Sequence, residues 1–346
     1  MESRKSQRGG DDSTNIQADA IHFGISYSDA REIALDVFRA NFAEMSQQAM
    51  SEASRRAEIL TEHYLRRVLE SQKPIPEVLT NQDRQHELLL AQQDFASASG
   101  TEDMAALLSG MLVRKSQMVD GDSTSVNLLL NQALRTVPQL NVAELEALGV
   151  LFYIHRWPHV HGPFDGRQPT VEQLRASLHL GLSAFSNLNE SAGTLHLELL
   201  GCIFPVGSLQ HIGFVLQSRY PYLFTTGISP RGFVGRYRRA YVLRESDARL
   251  VIPVALSDFE GYLESHGQAF LGAKQARQRN LRTRDLFNAR LDIEEYVLGG
   301  SSHIAHVFGA WNSRIGRLRP TSLGTAIGHA YWQHLSGQSM PLGQFV

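Results

Sequence analysis

The sequence predicts a mainly α-helical protein, an elongated multi-helix bundle, and three observations carry that reading. The stretch from Ser28 to Glu70 contains neither Gly nor Pro and sets apolar or small residues at helical spacing: Ile33, Val37, Phe38, Phe42, Met45, Ala49, Ala53, Ala57, Leu60, Tyr64 and Val68. Helical patterns joined by short connections follow it as far as His155, which favours antiparallel neighbours. Only residues 201–254 break the pattern, with Pro205, Pro221, Pro230 and Pro253, scattered glycines and β-branched or aromatic residues, so a small irregular or β-hairpin insertion is expected there.

The 28–70 helix is the expected spine. At about 1.5 Å per residue it reaches roughly 60 Å, longer than an ordinary domain needs, which assigns it to the backbone of the fold or to a multimer interface. Leu35, Phe42, Ala49 and Leu60 do not share one narrow stripe, and this second apolar edge makes Leu35, Phe38, Phe42, Met45 and Leu60 the candidate self-assembly or partner face. Ser28 or Ser26 is positioned to cap the helix, with Asp29 and Glu32 in its first turn, and Pro74 and Pro76 end it. Residues 1–20 are polar, with Gly9-Gly10 and Asp11-Asp12; ordering them buries nothing, so a disordered tail is expected.

Beyond the spine, helices are expected at 83–98 and 102–117, with Thr101 as a cap, and at 124–136, stopped by Pro138. Asn141-Val-Ala-Glu144 reads as a variant capping box ahead of an apolar helix, Leu145 to His155, whose all-round hydrophobicity marks it as buried. Residues 157–169, rich in Pro and Gly, read as a loop, followed by a helix at 170–185. A hairpin joining 239–243 to 250–254 is expected, then helices near 256–264, 268–287, 293–297, 303–315 and 322–335, the last closed by Gly337. The organisation is a 21–200 N-terminal helical region and a 201–346 C-terminal, mostly helical region in one continuous architecture.

Composition limits the function classes. With 42% hydrophobic and 20% charged residues the chain can bury a core without staples, and its single cysteine, Cys202, forbids an internal disulfide. No apolar run reaches a membrane span and the start lacks a signal-peptide core, so a cytoplasmic protein with no membrane partner is expected. The charge is polarised: residues 1–150 hold 14 Lys+Arg against 22 Asp+Glu, a net of −8, and residues 151–346 hold 19 against 13, a net of +6. Such polarity serves an anionic partner or the docking of one half on the other within an oligomer.

Two constellations could carry chemistry. His155, His159 and His161, followed by Asp165, supply the neutral imidazoles and carboxylate of an open divalent-metal site, although Pro158 argues against one helical face for His155 and His159. No cofactor is otherwise expected. The basic segment 219–249, with Arg231, Arg236, Arg238, Arg239 and Arg244 among Tyr220, Tyr222, Phe224, Phe233, Tyr237 and Tyr241, offers phosphate contacts and stacking surfaces for nucleic acid or a nucleotide; pairing with the acidic half is the structural alternative. His303 and His306 follow Gly299-Gly300-Ser301-Ser302 at a helix start, where capping is expected, and Cys202 in LELLGCIFP reads as a buried structural thiol. Walker, Rossmann, GxSxG, HExxH and paired CxxC signatures are absent, which disfavours the enzyme classes that carry them.

The opening FGISYSDAREIALDVFRANFAEMSQQAMSEASRRAEILTEHYLRR and the closing LRPTSLGTAIGHAYWQHLSGQSMPLGQFV resemble the two ends of a bacterial family of largely uncharacterised helical proteins, the LPO-type domain. The middle, LLLAQQDFASASGTEDMAALLSGMLVRKSQ through LNQALRTVPQLNVAELEALGVLFYI, resembles that family's second block, so the likeness covers most of residues 21–346. The resemblance implies an accessory protein of a bacterial antiviral-defence or other mobile-element system and transfers no catalytic motif. The expected function is non-catalytic interaction, assembly or sensing, as a homo-oligomer or with a protein partner. The alternatives are a metal-dependent enzyme acting on nucleic acid or nucleotide, and a non-catalytic nucleic-acid binder.

Overall fold

Helical periodicity decides most of the architecture. A computed structural model describes residues 27–71, 82–98, 100–117, 124–160, 170–185, 188, 193–227, 229, 242–244, 248–251, 293–298 and 300–345; the side chains of 27–46, 82–83, 124, 157–160, 242, 244 and 296 are not among what is described. The chain divides into two compact units, residues 1–54 and 55–346, and helix α1, Tyr27–Glu70, contributes to both. In the first unit Gln47 to Met50 are exposed.

The second unit continues α1 and adds α2 (Gln82–Ser97), α3 (Glu102–Gln117), α4 (Thr124–Thr136), α5 (Val142–Val160) and α6 (Val171–Leu182). Then come α7 (Thr194–Leu199), strand β1 (Ile203–Pro205), α8 (Ile212–Arg219), α9 (Pro221–Phe224), β2 (Val242–Arg244) and β3 (Arg249–Val251). The chain closes with α10 (Ile293–Leu298), α11 (Ser302–Ser313), β4 (Leu318–Pro320) and α12 (Ser322–Ser336). The protein is therefore mostly helical, as its periodicity predicts.

Local chemistry sets the helix ends. The capping box at Asn141 forms in full: Asn141 Oδ1 accepts from the Glu144 amide at 2.9 Å, and Glu144 accepts from the Asn141 amide at 3.0 Å. Thr101 accepts from the Met104 amide at 3.4 Å, and Thr170 with Gln173 makes a second capping box. Gly337 ends α12 in the left-handed region, φ 69°, where a side chain is strained. The expected spine bounds of 28–70 differ by one residue from those of α1. The expected helices at 256–264 and 268–287 lie outside the described residues.

Two features depart from the sequence reading. Helix α5 runs through Pro158 to Val160, so His155 and His159 do share one helix, four positions apart. Proline deletes the amide donor to the carbonyl four residues back, but here the helix ends two residues later and the cost falls only on its last turn. The hairpin forms at β2–β3, pairing Val242 with Val251 and Leu243 with Leu250. A second antiparallel pair, β1–β4, sets Ile203 opposite Pro320 and Phe204 opposite Arg319; three-residue strands ending in proline give no periodic signal.

The core is centred on α12 against α5, with α3, α4 and α6 also packed on α12. Trp332 stacks on Tyr153 with centroids 5.7 Å apart, and Phe152 meets His329 at 5.0 Å and Phe345 at 5.1 Å, both edge-on. Helix α1 joins this core through Leu60, Tyr64 and Val68, one turn apart and each at most 3% exposed.

Candidate functional site

The described histidine of the expected metal cluster, His155, sits in a cationic corner. Arg219, in the last turn of α8, donates Nη2 to the His155 carbonyl at 2.8 Å. Register in β4 places Arg319 alongside, its Nη1 3.4 Å from His155 Nε2 and 3.0 Å from the Leu318 carbonyl, while its Nη2 donates to Gln210 Oε1. Trp311 walls the ring at 5.5 Å and donates Nε1 to the Gln210 carbonyl at 2.7 Å. Burial, then the charges of Arg319 and Arg219, push the imidazole down to about 3, so His155 is neutral at pH 7. Burial likewise holds the Arg219 guanidinium down at about 10. The arrangement packs and orients; two guanidinium groups beside His155 oppose a bound dication. The side chain of His159 and all of His161 lie outside the described residues, and among the described residues no three His, Cys, Asp or Glu converge as a metal set.

Of the expected phosphate-contacting arginines, Arg231, Arg236, Arg238 and Arg239 lie outside the described residues, and Arg244 is placed only as backbone in β2, opposite Arg249. On the expected partner face, Leu60 is fully buried in the core of its own chain, while Leu35, Phe38, Phe42 and Met45 are placed on α1 by backbone alone. Ser301 caps α11 by accepting from the Ile304 amide, while His303, expected in a capping role, donates instead to the Leu182 carbonyl at 3.0 Å.

Cys202 is fully buried, and burial, with the nearby Glu144 carboxylate second, pushes its thiol up to about 12. Thiolate is the reactive form, so this cysteine is inert in the folded chain. At pH 8.5, labelling of Cys202 by a disulfide reagent is expected to be slower by at least about a hundredfold in native protein than in denaturant; equal rates would remove the structural assignment.

A site that sequence reasoning missed lies where α1, α3 and α12 meet. A cavity of about 250 Å³ is lined by Arg67, Gly110, Arg114, Gln333, His334 and Gln338, among others. Arg67 Nη2 lies 3.3 Å from His334 Nδ1; Arg114 donates to Gln333 Oε1 and sets Nη1 3.3 Å from His329 Nδ1. Burial, then the Arg67 charge, lowers the Arg114 guanidinium from its usual range, and burial, then Arg67, lowers the His334 imidazole. Burial, then Arg114, pushes the fully buried His329 down to about 3. The two arginines stand on different helices 47 positions apart, and their partners on α12 lie 215 to 267 positions downstream, so no local motif announces the cluster.

No curated protein and no solved structure matches the chain. Among the described residues no helix is long and apolar enough to cross a membrane. A protein-family model described only as ":-like" matches residues 24–346, nearly the whole sequence, and the chain belongs to that uncharacterised family.

Proposed function

We propose that the protein is a non-catalytic assembly protein whose helix α1 pairs with α1 of a second copy. The observation that carries this is the helix itself: 44 residues, about 66 Å at 1.5 Å per residue, with its described buried positions confined to Leu60, Tyr64 and Val68. Met50 is 71% exposed on it, and the sequence places Leu35, Phe38, Phe42 and Met45 on the preceding turns. Helices of this kind gain most of their stability by burying an apolar face.

Charge favours a second copy over an unrelated partner. Residues 29–44 carry four acids and two arginines, a net of −2, while residues 55–66 carry three arginines and two glutamates, a net of +1. Two antiparallel copies related by a twofold axis bring these segments together twice. The resemblance of the chain's two ends to the LPO-type family supplies the setting, a cytoplasmic component of a bacterial defence or other mobile-element system.

Sedimentation velocity over a range of concentrations tests the pairing. The wild-type chain is expected to self-associate, and Phe38→Glu with Phe42→Glu is expected to leave a monomer of unchanged helical content. A wild-type monomer at the highest concentration reached removes the reading.

A further inference from the structure

We infer that the cavity between α1, α3 and α12 is a binding site for a small oxyanion of the phosphate type, held by Arg67 and Arg114. The inference goes beyond self-assembly and does not depend on it. A guanidinium carries five N–H donors in a planar fork. Among the described residues Arg67 hydrogen-bonds to His334, itself a basic group, and Arg114 to His329 and Gln333. Neither arginine forms an ion pair with a carboxylate among the described residues, yet both line the same cavity. Of the nearby acids, Glu102 lies 3.6 Å from His63, and exposed Asp103, close enough to offset part of the lowering at His334, forms no ion pair with either arginine among the described residues.

Two like charges facing one partly buried space repel, and a dianion between them would relieve that repulsion while accepting from both guanidinium groups. The C-terminal end of α12 places only partial negative charge nearby, less than the full charges of two guanidinium groups. Size points the same way. About 250 Å³ is below the usual range for a drug-sized ligand and large enough for a tetrahedral oxyanion with a few waters. Gly110 contributes by omission, since a Cβ there would stand 3.0 Å from Arg67 Nη1 and the head group would have to shift to make room.

Calorimetric titration of the full chain with inorganic phosphate at pH 7, at ionic strength fixed with chloride, tests the site. Saturable one-site binding is expected, weakened about tenfold by Arg67→Gln, in keeping with the loss of one charge-assisted pair. Arg114→Gln in addition should abolish it. Should that double variant fail to fold, Gly110→Ala serves: it replaces a helix-interior glycine with the best helix former, retains both arginines, and is expected to weaken binding by displacing Arg67. Adenosine 5′-monophosphate in place of phosphate assigns the source, since either order of affinity is binding at the site, with tighter nucleotide pointing to a phosphoryl group carried on a nucleoside. No saturable phosphate binding by the wild-type chain, or an unchanged affinity in Arg67→Gln, overturns the inference.

Discussion

Alanine at Gly324 or at Gly328 is expected to cost about 3 kcal/mol each, at the upper end of what overpacking does, and the pair together should prevent folding. The reason is backbone proximity. A Cβ at Gly324 would stand 1.9 Å from the Cys202 carbonyl oxygen, and one at Gly328 would stand 2.2 Å from that of Leu148. A colliding side chain can rotate away; a carbonyl fixed in α5 or next to β1 cannot. Spaced four apart, the two glycines form one seam along α12 that lets its backbone approach α5 at Leu148 and the β1 segment at Cys202. Thr321 pins the same corner, donating its hydroxyl to the Gly201 carbonyl at 2.7 Å and accepting from the Gly324 amide at 3.1 Å.

Helix propensity alone predicts the opposite outcome, because Gly→Ala in a helix interior gains up to about 1 kcal/mol. Gly309 on α11 is the matched control: a Cβ there meets nothing within 4 Å, so Gly309→Ala should be neutral or mildly stabilising. Urea midpoints of the three variants decide between the effects. A rise in midpoint for all three would show that the close approach does not limit stability.

The contrast between local and non-local information runs through the whole molecule. Residues 102–117 and 124–136 fold as the helices their periodicity predicts, and the Asn141–Glu144 box forms as its spacing requires, because each is decided within one or two turns. Glu144 shows where such reading ends. The sequence marks it as a cap, but not that its second oxygen meets His196 Nδ1 at 2.8 Å, on another helix 52 positions away. The same limit hid the β1–β4 pair, whose partners are more than a hundred positions apart, and the short α7, α8 and α9, whose lengths leave no room for a period.

The candidate sites divide in the same way. His155 was legible as a chemical group but its surroundings were not, because Arg319 and Trp311, which fix its environment, approach from 164 and 156 positions downstream. The Arg67–Arg114 cavity was not legible at all: an isolated arginine on an amphipathic helix looks like any solvated charge. What distinguishes it is the absence of a carboxylate partner for either guanidinium among the described residues, which only the packed arrangement reveals.

The one buried lysine–carboxylate pair described, Lys115 with Glu87, should behave in the reverse manner, as a charge that has found its partner. Lys115 on α3 is 7% exposed and donates to Glu87 on α2 and to Asn131 on α4, tying three helices at one point. Glu87 also borders a 570 Å³ cavity lined by His86, Leu90, Asp94 and Leu128, so its side chain keeps some contact with solvent. Removing the two partners is therefore not equivalent. Glu87→Leu strands a buried ammonium with one neutral acceptor and is expected to cost about 3–5 kcal/mol. Lys115→Met keeps the stem's volume and leaves a carboxylate that can turn toward the cavity, so its cost should be about 1–2 kcal/mol. The double variant Glu87→Leu with Lys115→Met removes both charges and should recover most of the loss, because a desolvated ion pair contributes little net stability over an apolar pair of similar size. A double-mutant cycle in urea reads the coupling directly. Strictly additive costs would mean that the two groups do not depend on each other, and that Asn131 alone is enough to hold the lysine at the junction of α2, α3 and α4.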